Sequence, residues 1–202
     1  KINNGKADKF NASVDQSAGN NGVITTGSEP NNVVVSPNGQ RLFVANSSQD
    51  TITVIDAKKN TIVGAVDLRN SLCNVGDSNR HFQPRGLAVT ANSQQLYVTR
   101  FISFTHASGV QRDDFGKSGV VCRLDVDTWS KAISDYQPVR AIELMATNTG
   151  VLNQAGETTH AFPNQMQNIV IRGDKAYLAN IAAAPTGPVR FDTNAQAYVT
   201  RI

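Results

Sequence analysis

The stretch from Glu29 to Leu68, EPNNVVVSPNGQRLFVANSSQDTITVIDAKKNTIVGAVDL, constrains the fold more than any other part of the chain, because it spells one complete four-stranded antiparallel unit. Val33-Val34-Val35 is a β-branched run, and Ser36-Pro37-Asn38-Gly39 is turn chemistry, in which proline presets φ and glycine accepts a positive φ. Arg41 to Asn46 returns as a second strand and Ser47 to Asp50 turns. Thr51 to Asp56 alternates as a half-buried strand does, Ala57 to Asn60 turns again, and Thr61 to Leu68 is a fourth strand. The unit then recurs: Pro30, Leu42, Phe43 and Val44 are matched by Pro84, Leu96, Tyr97 and Val98 at one offset, 84 − 30 = 54 residues.

The second copy reads QPRGLAVTANSQQLYVTR from Gln83 to Arg100, and its third strand, Gly119 to Asp125, is delayed by an insertion of about 15 residues after the second strand. A third copy reads NIVIRGDKAYLAN from Asn168 to Asn180, with Val189–Asp192 expected as its third strand and Ala197–Thr200 as its fourth. Ahead of the first copy, Ala12–Asp15 and Gly22–Gly27 read as the third and fourth strands of a preceding unit.

The second strands end Phe43-Val44-Ala45-Asn46, Tyr97-Val98-Thr99-Arg100 and Tyr177-Leu178-Ala179-Asn180. With the Ser-Pro-Asn-Gly hairpin and Val54-Ile55-Asp56, these residues resemble the YVTN-type, seven-bladed-like β-propeller repeat family over nearly the whole chain. The resemblance implies an all-β propeller of four-stranded antiparallel blades, about three and a half of them here: a partial blade at 1–28, a blade at 29–80, a blade at 81–145 with a long insertion at 101–118, and a blade at 146–202 preceded by a long loop. Closed propellers carry about four to eight blades. The expectation is therefore a partial propeller: either the chain belongs to a longer protein or a second chain closes the ring, since an open ring exposes sheet surface.

No apolar stretch approaches the roughly 18 residues of a membrane helix, and no hydrophobic signal core stands at Lys1. A net charge of +3, scattered along the chain, does not make a nucleic-acid surface. Cys73 and Cys122 are compatible with one disulfide or with two buried thiols, and no Cys-x-x-Cys-His attaches a haem. Asn11-Ala12-Ser13 and Asn46-Ser47-Ser48 match the glycosylation sequon.

The resemblance also sorts the polar residues. Fourth-to-first connections and second-to-third loops share one face of a propeller, which collects all three histidines, His81, His106 and His160, with Glu29 and Arg85 at first strands and Asn46, Arg100 and Asn180 closing second strands. Together they form a candidate polar, partly cationic ligand-binding funnel; as a bland alternative, they hydrogen-bond neighbouring backbone. No close histidine spacing or acidic cluster marks a metal site. The insertion FISFTHASGVQRDDFGKS, with Phe101, Phe104 and Phe115, is the most distinctive binding loop, and Met145–Gln167 reads as a second, polar loop on the same face. Asp15, Asp56, Asp125 and Asp192 each close a third strand and read as caps on turn amides; Arg172-Gly173-Asp174 reads as a hairpin, and Trp129 as packing between blades.

No nucleophile–base pair or nucleotide-binding glycine motif is present. The leading reading is non-enzymatic: a periplasmic, secreted or cell-surface scaffold whose loops contact a protein, glycan or small ligand, with no cofactor required by this segment. The alternatives are the propeller part of a periplasmic haem- or copper-containing oxidoreductase and, last, a lactonase-like hydrolase.

Overall fold

The computed structural model describes residues 22–76 and 81–202, which form an all-β arrangement of three antiparallel sheets. The first is an uninterrupted meander of β1 (Pro30–Val35), β2 (Arg41–Asn46), β3 (Thr51–Asp56) and β4 (Thr61–Asp67), with every strand and turn where the sequence pattern puts it. Its hairpins follow local chemistry. Gly39 sits at φ 68°, and Asp56 accepts from the amides of Lys58 and Lys59 at 3.0 Å, the turn-capping role read from sequence.

The second sheet repeats the plan with β5 (Pro84–Val89), β6 (Gln95–Arg100), β8 (Lys117–Asp125) and β9 (Gln137–Leu144). The insertion between β6 and β8 folds back as β7 (Phe104–Thr105), which pairs with Ser118 and Lys117. A single 3-10 turn, Ile133–Asp135, leads into β9.

The third sheet departs from expectation in two places. Met145–Gln167 is largely a β-hairpin rather than a loop: β10 (Thr147–Leu152) and β11 (Thr158–Asn164) pair across a turn in which Asn153 Oδ1 accepts from the amides of Ala155 and Glu157. Polar strand residues concealed it, because β10 is mostly exposed and shows no clean apolar alternation. The second departure lies after β12 (Val170–Arg172) and β13 (Lys175–Ala183). Val189–Asp192 is not a strand. Asn194 ties the loop by accepting from the Arg190 amide and donating to the Ala184 carbonyl, both at 2.7 Å, and Phe191–Asn194 makes a helical turn. The following β14 (Ala195–Arg201) then pairs directly with β13, so it takes the third position, not the fourth. At the other end, the strand expected at Gly22–Gly27 does not form. The strand expected at Ala12–Asp15, with Asp15 and the Asn11 sequon, lies outside the described residues.

The sheets pack face to face. Phe43, Ala45, Ile52, Val54 and Val66 of the first meet Leu96, Val98, Val120, Cys122 and Leu124 of the second. The opposite face of the second sheet, through Ala88, Val121 and Leu144, meets Ile169, Ala176 and Leu178 of the third. Close approach is needed at β5, where a Cβ on Gly86 would lie 2.8 Å from Asn168 backbone. Trp129 does not pack between sheets. It is 67% exposed, and its neighbour Thr128 turns inward instead, its hydroxyl accepting from Asn38 Nδ2 at 2.6 Å.

Cys73 and Cys122 are joined, linking the segment after β4 to the centre of β8 across 49 residues. Both cysteines are buried among the apolar residues between the first two sheets. Replacing both by alanine is expected to lower stability by about 2–4 kcal/mol, because the unfolded chain regains the closed loop. Thermal unfolding of the double variant, and of the wild type with and without reductant, checks this.

Candidate functional site on the loop face

Hydrogen bonds across the sheets bring equivalent ends together. On one side the Ser36–Gly39 hairpin donates through the Asn38 amide to Ser93 Oγ at 3.0 Å. On the other, Ser47 Oγ donates to the Pro84 carbonyl at 2.6 Å, and the Ser103 amide to Asn164 Oδ1 at 2.9 Å. The second side, carrying the β2–β3 and β6–β8 connections, is the loop face.

Glu29, Gln83 and Gln165 repeat one backbone device there, a left-handed φ of 55°, 52° and 47° just ahead of a new sheet's leading segment. The turn aims Glu29 across the face: its carboxylate accepts from Ser48 Oγ at 2.6 Å and from Arg85 Nη2 at 3.2 Å. The Arg85 guanidinium in turn lies 4.4 Å from the Phe101 ring centroid. The Ser48 hydrogen bond, aided by the Arg85 charge, holds Glu29 below the usual glutamate range. Two of the candidate residues, Glu29 and Arg85, are thereby brought into direct contact.

The histidines occupy three separate settings. His81 Nδ1 lies 2.7 Å from Asp50 Oδ2, and the same buried carboxylate accepts from the Gln83 amide. His106 Nε2 lies 2.8 Å from Ser118 Oγ, with the Phe104 ring edge-on at 5.3 Å. His160 packs 4.5 Å from Phe115. Among the described residues no group of three or more His, Cys, Asp or Glu side chains is arranged to hold a metal ion. Asn46, Arg100 and Asn180 share the same place in the repeat and are buried; Asn46 and Arg100 close β2 and β6, whereas Asn180 lies inside β13, which runs on to Ala183 and so does not close a strand there. Asn46 donates to Thr51 and Thr53, Asn180 to Thr200, and Arg100 to the Val75 carbonyl.

The insertion is built around Asp114, 3% exposed, whose two carboxylate oxygens accept from the amides of His160 and Thr186 at 2.8 and 2.9 Å. A loop of the second sheet is thereby fixed to two segments of the third. Gly109 and Gly116 carry the tight crossing, each with backbone where a Cβ would stand. Phe104 is buried beneath, while Phe115, Val110 and Met145 remain more than half exposed above.

Beside the insertion lies an open groove of about 660 Å³, lined by Val75, Gly76, Thr105, His106, Gln111 and Glu143 among others. Thr105 Oγ1 is buried there with no hydrogen-bond partner. The groove offers hydrogen-bond donors and acceptors; Ser118, the hydroxyl within reach of His106, is fully buried and also donates to Met145 Sδ at 3.2 Å. Thr105, Gln111 and Glu143 escape sequence reasoning because no motif spans the insertion and the far end of β9; strand register alone joins them.

No family model matches the chain, and no curated protein does. Among solved structures it is similar to a functionally unknown protein from Desulfotomaculum acetoxidans DSM 771, at 15% identity and TM-score 0.43, with 87% of this chain and 47% of that chain covered. It is also similar to Kuenenia stuttgartiensis hydrazine synthase, at 16% identity and TM-score 0.31, with 91% and 65% covered. The chain thus spans less than two thirds of either.

Asp114→Ala removes the acceptor of two part-buried amide hydrogen bonds and is expected to cost about 1–2 kcal/mol, with faster hydrogen exchange at His160 and Thr186. The Glu29 link responds to acid in a defined direction. Its folded pKa is depressed, so its contribution is present above the ordinary value of 4.5 and is lost as pH falls through the lower, folded value. A carbonyl-detected NMR titration should place the Glu29 midpoint below 4.5, and Arg85→Ala should move it up.

Proposed function

We propose that this chain is part of an exported β-propeller of the YVTN type that serves as a binding or scaffold module, contacting a protein or glycan through its loop face. The observation that carries the reading is the insertion between β6 and β8. It is pinned from below by Asp114 and presents exposed apolar side chains next to a polar groove. Binding loops on rigid scaffolds are a common arrangement, and apolar side chains held outward on such a loop suit contact with a partner.

Support for a propeller comes from the sequence repeat and from the leading strands: β1 and β2 pack against β5, and β12 packs against β5 in turn. The remaining blades, or a second chain, would complete the ring. A disulfide buried between sheets suits an oxidising compartment, in keeping with a periplasmic or cell-surface setting.

The test is a binding screen of the intact protein against glycan and surface-protein arrays, comparing wild type with a Val110→Ser/Phe115→Ser double variant. A loss of at least about tenfold in affinity is expected for the double variant, with Trp129→Ala, on the opposite face, binding normally. Unchanged binding by the double variant would move the site away from the insertion.

A further inference from the structure

The chain holds two methionines, and the fold gives them opposite settings. Met166 is fully buried in the core between the second and third sheets, where a Cβ on Gly119 would lie 3.2 Å from its Sδ. Met145 is 54% exposed. It follows β9 directly, and Met145 and Ala146 alone make the connection to β10, so its backbone is held from both sides by paired strands.

The exposed sulfur is also held. Ser118 Oγ donates to Met145 Sδ at 3.2 Å, and His106 Nε2 lies 2.8 Å from the same oxygen. Ser118 is fully buried in β8 and pairs with Phe104 of β7, so its hydroxyl reaches the sulfur from the interior side. A thioether sulfur is a weak acceptor with one lone pair on each side of its C–S–C plane. Here a fixed hydroxyl engages one lone pair from beneath and leaves the other for solvent. Oxygen added to one lone pair or to the other gives opposite sulfoxide epimers.

We propose that Met145 is a site of reversible, stereoselective oxidation by hydrogen peroxide. The outward lone pair attacks the peroxide and the O–O bond breaks. One oxygen stays on sulfur as the sulfoxide, and the other leaves as water with both protons; sulfur loses two electrons and the peroxide gains them. Ser118 is a positioning residue: it keeps the second lone pair occupied, and one epimer predominates. A methionine sulfoxide reductase specific for that epimer restores the thioether. The product sets a polar, chiral group at the foot of the insertion between β6 and β8, in place of an apolar one. Mass and epimer alone read this modification, independently of any partner contact through the loop face.

The test treats the folded protein with limiting hydrogen peroxide and quantifies both methionine peptides of a digest by mass spectrometry. Portions of the digest are then incubated with one or the other of two methionine sulfoxide reductases, each specific for one epimer. Met145 is expected to oxidise at least about tenfold faster than Met166. One reductase should recover at least about fivefold more Met145 thioether than the other, the ratio that one retained hydrogen bond supplies. Protein unfolded in urea before oxidation should lose both preferences. Ser118→Ala should keep the preference for Met145 over Met166 and lose the preference for one epimer. If that variant folds poorly, Met166 reveals it by oxidising as fast as Met145, and the comparison of folded with unfolded wild type still decides. Equal oxidation of the two methionines in the folded protein overturns the proposal. So does an equal split of Met145 sulfoxide between the reductases, or an epimer ratio unchanged in folded Ser118→Ala.

Discussion

Burial of both faces of a narrow sheet is the constraint from which the rest of this structure follows. In β6 and β8 of the second sheet consecutive residues, Val98 to Arg100 and Ser118 to Cys122, are all buried, so successive side chains on opposite faces both need a neighbour. A four-stranded sheet cannot satisfy that alone. Each fully buried Phe, Leu, Ile or Val gains about 1.5–3 kcal/mol only when another sheet removes it from water. Repetition of the same unit supplies that sheet, and stacking of equivalent strands lines up their loops on one side.

That alignment gives the loop face its character. Close sheet packing leaves little freedom at strand ends, and the polar residues there are mostly consumed in holding neighbours together: Asn46 on threonine hydroxyls, Asp50 on His81 and the Gln83 amide, Ser47 on Pro84. On this face the repeat is interrupted between β6 and β8. The insertion after β6 buries Phe104 and Asp114 to hold its shape, and sets Val110 and Phe115 outward.

The ends of the arrangement differ from its middle for the same reason. The second sheet is sandwiched and buries apolar residues on both sides, whereas among the described residues the third meets another sheet on one side and no strand pairs with the second edge of β14. Ile181 and Val199 lie exposed on a face whose counterparts in the first sheet, Phe43 and Ile52 among them, are fully covered.

Much of the fold was legible because it is written in local signals. Alternating and β-branched runs, Pro37 and Gly39 in one hairpin and Gly173 in another, and the 54-residue offset placed the first two sheets, and the turn-capping role of Asp56 followed from its position before a turn. The errors fall where a segment's partner is distant in sequence. Polar β10 becomes a strand because β11 pairs with it; Val189–Asp192 fails to become one because Asn194 ties its loop elsewhere; Trp129 is displaced by Thr128, which finds Asn38 and Ser93. The same division holds for the site. Glu29, Arg85 and the histidines could be assigned to one face from the repeat, but which of them touch was decided by inter-sheet distances of a few ångströms, and the Asp114 anchor and the His106–Glu143 groove exist only through contacts 46 to 72 residues apart or through strand register. Periodicity and turn chemistry act over a few residues, so the chain alone determined the strands of the first two sheets; pairing with distant segments decided β10 and β14, and the packing of one sheet on the next, which depends on every strand at once, decided which side chains meet.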